Sequence, residues 1–195
     1  MSLFQDIRDS AEGRELSVRW YQDQIRNLGG NTIGARQHIA EGTRENRTSV
    51  RPTFGELNLY YYRPKTAKKL PYYDTFPIVL PFKEHKNGFT GINFHYLSMG
   101  LRVKLLQKML VYGRPVSVKE EKISIYWDLI SNIGLVKPTV RRYDRTQVKS
   151  LYLRIPLDDM LVGILLPVQR FYTGEWAYKM RKPPRSVWHD SRRRM

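Results

Sequence analysis

Asp74 and, ten to twelve residues further on, Glu84-His85-Lys86 come nearest in type and spacing to a reactive constellation. Paired carboxylates hold a divalent cation through hard oxygen ligands, and a neighbouring lysine helps a metal-bound water attack a phosphodiester. That is the carboxylate and Glu-x-Lys arrangement of metal-dependent DNA cutters. The pattern is not selective, because Glu120-Glu121-Lys122 supplies a second Glu-x-Lys in the same chain. Asp74 also stands just ahead of the apolar run Ile78-Val79-Leu80, where an aspartate commonly caps a turn. A nuclease reading requires Asp74, Glu84 and Lys86 to converge within metal-ligand reach.

Other chemistry has less to rest on. The chain has no cysteine, which removes thiolate metal sites, cysteine nucleophiles and a disulfide framework. It carries no glycine-rich phosphate loop ending in Gly-Lys-Ser/Thr, no His-Glu-x-x-His pair and no Gly-x-Ser-x-Gly elbow. His38, His85, His95 and His189 are scattered without ligand spacing. The expectation is a protein with no catalytic residue, no metal site and no cofactor.

The elements that would position these residues lie between Phe54 and Leu97. Leu57, Leu59 and Tyr61 alternate with Glu56, Asn58 and Tyr60, the period-two pattern of a strand with one buried face. Ile78-Val79-Leu80 is bounded by Pro77 and Pro81, and Ile92, Phe94 and Tyr96 alternate again. Arg63-Pro64-Lys65 and Lys86-Asn87-Gly88 supply turn chemistry between the runs. Tyr60, Tyr61, Tyr62, Tyr72 and Tyr73 make a dense aromatic group beside basic loops. Such a group can stack single-stranded bases, but the alternation accounts for it more simply as packing inside and between strands. Leu151, Leu153 and Ile155 give a further strand. The expected fold is α+β: a small SH3-like antiparallel β-barrel or bent sheet with peripheral helices and extended N- and C-terminal arms.

Helices are expected at Arg14–Leu28, from an N-cap at Ser98 to Val111, within Ser117–Asn132, and at Leu157–Leu166. Arg102, Lys104 and Lys108 fall on the polar face of the second of these. Three regions follow. Residues 1–53 form an N-terminal helix and Arg-rich extended arm, 54–175 a barrel-like core with a helical insertion, and 176–195 a basic C-terminal tail. In the arm, Val18, Trp20, Tyr21 and Ile25 make an apolar helical face for a partner, and Arg36, Arg44, Arg47 and Arg51 are spaced through a polar stretch. In the tail, Trp188 is a candidate partner contact, and Arg192, Arg193 and Arg194 form a cationic end. Both arms are expected to order only against a partner.

Charge narrows the partners. There are 34 Lys and Arg against 18 Asp and Glu, a net charge of +16, which calls for a polyanion or acidic protein neighbours. No apolar run reaches the roughly 20 residues of a membrane span, and Met1–Asp6 does not read as a signal peptide.

Longer motifs carry a resemblance. They are Leu70-Pro71-Tyr72-Tyr73-Asp74-Thr75-Phe76-Pro77, Gly88-Phe89-Thr90-Gly91-Ile92-Asn93-Phe94-His95-Tyr96-Leu97 and Leu101-Arg102. Lys137-Pro138-Thr139-Val140-Arg141-Arg142-Tyr143, Ile164-Leu165-Leu166-Pro167-Val168-Gln169-Arg170-Phe171 and Val187-Trp188-His189-Asp190-Ser191 continue them. From residue 54 to about 191 the chain resembles a family of small proteins encoded by T4-like tailed bacteriophages, and residues 1–53 have no counterpart in that resemblance. The resemblance implies a phage origin and transfers no catalytic residue. The first two motifs are also similar in layout to PemK-like or SH3-like barrels.

The leading expectation is a non-enzymatic structural component of a tailed-phage virion, a tail, baseplate or junction subunit assembled in the host cytoplasm. Its partners would be other virion structural proteins, with phage DNA as a further candidate. Val18, Trp20, Tyr21, Ile25 and Trp188 would bury on neighbours, while Arg36, Arg44, Arg47, Arg51, Arg192, Arg193 and Arg194 meet acidic rims or phosphates. The alternative is a DNA-binding protein that protects or coats genome ends, with a metal-dependent nuclease behind both.

Overall fold

The computed structural model describes residues 35–112, 134–155, 163–164, 171–173 and 181–193. The central sheet contains β1 (Thr48–Ser49), β2 (Leu57–Leu59), β4 (Ile78–His85), β5 (Gly88–Asn93), β6 (Val140–Asp144) and β7 (Tyr152–Ile155). Their order is β1-β7-β2-β4-β5-β6, with every neighbouring pair antiparallel. β4 and β5 form the hairpin that Lys86-Asn87-Gly88 predicts, with His85 opposite Gly88. A Cβ at Gly88 would lie 1.9 Å from the Tyr143 carbonyl oxygen, so glycine there lets β6 approach. Pro81 sits inside a central strand at a register shift between Pro81 and Lys83, where a proline costs no ladder bond.

Both faces of this sheet are buried, where the alternation predicted one. Leu57, Leu59, Ile78, Leu80, Ile92, Leu153 and Ile155 form one face. It is covered by α1 (Ala35–Arg44) through Ile39 and by α2 (Met99–Tyr112) through Val103, Leu105 and Leu106. The other face is aromatic: Tyr60, Tyr62, Val79, Phe89, Tyr143 and Tyr152. Curvature brings those rings together. Tyr60, just past β2, and Tyr143 of β6 are separated by β4 and β5, about 14 Å in a flat sheet. Their ring centroids are nevertheless only 5.6 Å apart, edge to face at 87°. The bent sheet is thus the form adopted; among the described residues no pairing joins β1 to β6 to close a barrel. A second sheet, β3-β8-β9, is built from β3 (Tyr73–Asp74), β8 (Phe171–Tyr172) and β9 (Arg181–Lys182).

Three expectations change. The stretch from Asn31 to Thr53, read as an extended arm, contributes α1 and β1. Asn46 adopts φ 55° after α1, which lets the Arg47 N–H reach the Gly42 carbonyl at 2.8 Å and end the helix. Gly42 packs where a Cβ would sit 2.1 Å from Leu153 Cδ1, and β1 pairs with β7, so this segment belongs to the core. Arg102, placed by pattern on a polar helix face, is fully buried. Its Nε donates to Leu97 O at 2.9 Å and its Nη1 to Ile164 O at 2.8 Å, so buried carbonyls draw it inward. The basic tail, read as disordered, forms α3 (Pro184–Arg192), started by Pro184 in the first helical turn. The expected helices at Arg14–Leu28 and Ser117–Asn132 lie outside the described residues, as does Leu157–Leu166 apart from the helical Gly163 and Ile164. Among the described residues no helix is long and apolar enough to cross a membrane.

Candidate nucleic-acid interface and a buried polar cluster

Strand register sets the first basic group. Lys83 on β4 is opposite Thr90 on β5, which is opposite Arg142 on β6. Directly opposed residues share a face, so these three form a row across the end of the sheet, with Lys83 and Arg142 exposed. In the next row His85 and Asp144 flank Gly88. The acidic groups here are engaged locally. Glu84 is paired with Arg145 at 2.7 Å, and Asp144 accepts from the Thr146 backbone N–H at 2.9 Å and hydroxyl at 2.8 Å. Those Thr146 bonds, with Lys65 and Arg142 nearby, hold the Asp144 carboxyl below its usual range. The exposed Lys83, Lys86 and Arg142 therefore set the field at this end.

α3 carries the second group. Val187 and Ser191 face inward. Arg185, His189, Arg192 and Arg193 fall at helical spacing on the opposite side and are exposed. Lys182 fixes the base of the helix through Asp190 at 2.6 Å. α3 packs against the 3-10 turns Phe94–Tyr96 and Lys137–Thr139, and the latter runs directly into β6. The basic strip thus continues from α3 past the exposed Lys137 to Arg142 and Lys86 along the β6 edge. Such an edge of closely spaced cations suits a run of phosphates.

The sequence-predicted site residues divide. Arg192 and Arg193 belong to this strip. Arg44, Arg47 and Arg51 lie at the opposite edge of the sheet, around β1, where Arg47 pairs with Glu45 and its carbonyl accepts the Arg154 N–H. Arg36 falls within α1. Val18, Trp20, Tyr21, Ile25 and Arg194 are outside the described residues. Trp188 does not stand free for a partner: its Nε1 donates to the His95 carbonyl at 3.0 Å, and the Arg102 guanidinium lies 5.8 Å from its ring centroid. Sequence patterns do not single out Lys83, Arg142, Arg185 and His189 as a set. Pro183-Pro184 opening a helix could have revealed the α3 stripe, but the Lys83–Arg142 row required the register.

The candidate nuclease group does not assemble. Asp74 is buried, accepting from the Phe76 N–H at 3.0 Å through Oδ1, and through Oδ2 from His95 Nδ1 at 2.8 Å and Asn93 Nδ2 at 3.3 Å. Glu84 is exposed on the hairpin, five residues beyond Val79, the partner of Asn93, or roughly 16 Å along the strand. Among the described residues no three His, Asp or Glu side chains are placed to hold a metal. Asp74 instead anchors a polar knot, in which Asn93 Nδ2 also donates to Tyr143 Oη at 2.9 Å and Asn93 Oδ1 accepts the His95 N–H at 2.9 Å. Burial lowers the His95 imidazole from its ordinary value despite the carboxylate beside it. Burial also pushes Tyr143 up and the Arg102 guanidinium down to about 9, which leaves Arg102 charged at neutral pH. The knot joins β3, β5 and β6 and holds the 94–96 turn on which α3 rests. It positions the basic strip.

Comparison with protein families matches residues 5–190 to the Phage T4 terminal DNA protecting protein. The match includes most of residues 1–53, for which the motif resemblance had found no counterpart. Comparisons with curated proteins and with solved structures returned no match. With nearly its whole length matched, the chain belongs to the Phage T4 terminal DNA protecting protein family.

Proposed function

We propose that this protein binds the ends of a phage genome and protects them by occupying them, without itself performing chemistry. Family membership over residues 5–190 carries this reading. The basic strip of α3 and the β6 edge supports it with a surface suited to a phosphate backbone. This was the alternative to the tail, baseplate or junction subunit expected from the sequence, and the family favours it over that expectation. The central order β7-β2-β4-β5-β6, with a 3-10 turn at Arg145–Gln147 ahead of β7, supports an SH3-like layout as the rigid base. Location in the virion, with the packaged genome and its protein neighbours, belongs to the same proposal. The test compares binding to a linear duplex with binding to a covalently closed circle of the same sequence, and digestion of the linear form by a double-strand exonuclease. Tighter binding to the linear form with slowed digestion is expected. Equal affinity for both forms with unhindered digestion overturns the proposal.

A further inference from the structure

A cavity of about 310 Å³ opens where the ends of β2, β4 and β7 meet, bounded among the described residues by Ile39, Tyr61, Phe76, Lys149 and Ser150. It is as large as the smaller ligand sites of proteins. Tyr61 and Phe76 stack with centroids 5.0 Å apart and 22° between planes, forming a flat aromatic wall. The polar groups at its mouth retain binding capacity. Ser150 Oγ accepts the Tyr61 N–H at 2.9 Å and donates to the Leu151 carbonyl at 2.7 Å, leaving one lone pair. Lys149 Nζ donates to the Thr146 carbonyl at 2.9 Å, leaving two N–H groups on an exposed ammonium. Lys149 and Arg63 are both exposed and close to this wall in the chain or across it: the Lys149 N–H donates to the Tyr61 carbonyl at 2.8 Å, and Arg63 is two residues past Tyr61.

An aromatic wall, one hydroxyl acceptor and a cationic rim match an unstacked nucleobase with its phosphate. A bound base would stack on Tyr61, offer an exocyclic amine to Ser150 and place its phosphate at Lys149. Building on the genome-end reading, we infer that this cavity takes the unpaired terminal nucleotide of a DNA strand. Duplex interior bases are already stacked and cannot enter, so the pocket distinguishes an end from the body of the duplex. The basic strip supplies affinity for any duplex; the cavity supplies preference for its terminus.

The deciding measurement is the Kd for a duplex bearing a single-nucleotide overhang, set against the same duplex whose overhang nucleotide is abasic. The two probes carry equal charge and differ only in the base. About tenfold tighter binding of the base-bearing end is expected. Tyr61→Leu should remove that ratio, and Tyr61→Phe, which keeps the ring, should retain it. Circular dichroism verifies that each variant is folded. Equal Kd for the two probes with intact duplex binding overturns the cavity's role alone, whereas failure to bind either probe overturns the genome-end reading as well. Deoxyadenosine monophosphate as competitor separates the two sources of this chemistry. Loss of the ratio at micromolar monophosphate assigns the cavity to free nucleotides and overturns the strand-end assignment, while competition confined to millimolar concentrations supports it.

Discussion

His95 donates its Nδ1 hydrogen to Asp74 Oδ2 across 2.8 Å, with both side chains almost wholly excluded from solvent. Burial disfavours the imidazolium and outweighs the attraction of the carboxylate, so the folded-state value lies below the ordinary 6.5. The sign of the linkage follows. The unfolded chain takes up the proton first as pH falls, so the contribution of this group to stability is complete above about pH 6.5 and diminishes as pH drops toward the folded value. The melting temperature should therefore fall between pH 7.5 and pH 5. His95→Asn preserves an N–H donor and removes the titration, so it should flatten that slope. An unchanged slope in the variant would assign the acid sensitivity to other groups.

Asn93 makes three of the bonds in the knot, to Asp74, Tyr143 and the His95 backbone. Asn93→Leu keeps approximate volume and leaves those partners buried without it, at about 1–3 kcal/mol for each group left unsatisfied. Urea denaturation should show a lower midpoint with an unchanged m value. Because the knot underlies α3, DNA affinity should fall in the same variant.

Gly88 tests how tightly β5 and β6 are joined. In Gly88→Ala the added Cβ meets backbone, the Tyr143 carbonyl, which cannot swing aside as a side-chain tip can. A loss of about 1–3 kcal/mol is expected, as for other overpacked sites. Hydrogen exchange should show the amides of Val140–Asp144 opening before those of β2 and β4.

Charge reversal divides the basic surfaces. Arg185→Glu with Arg192→Glu and Arg193→Glu should weaken duplex binding and flatten its dependence on salt, by about 0.9 in logarithmic slope for each phosphate no longer neutralised. Lys83→Glu with Arg142→Glu should act in the same direction. Arg44→Glu with Arg51→Glu, at the opposite edge of the sheet, should have much the smaller effect. Filter binding at several salt concentrations measures all three. The assignment of the interface to the β6 edge fails if the β1-edge variant shows the greater loss.

The sequence by itself determined the local elements of this chain. Alternation over Leu57–Tyr61 marked β2, Lys86-Asn87-Gly88 marked the hairpin, and Ser98 with its apolar spacing marked α2, because these signals act within a few residues. It also supplied the charge that demands an anionic partner. Long-range contact decided the rest. Tyr60 and Tyr143 meet only because the sheet bends, so an apparently solvated tyrosine became core. Arg102 reads as surface until Leu97 and Ile164 present carbonyls that need its donors. Asp74 reads as half of a metal site until His95 and Asn93, about twenty residues away, close around it. Lys83 and Arg142 become neighbours only through the register of three strands. A residue's type states which partners it needs, and the fold alone determines which ones arrive.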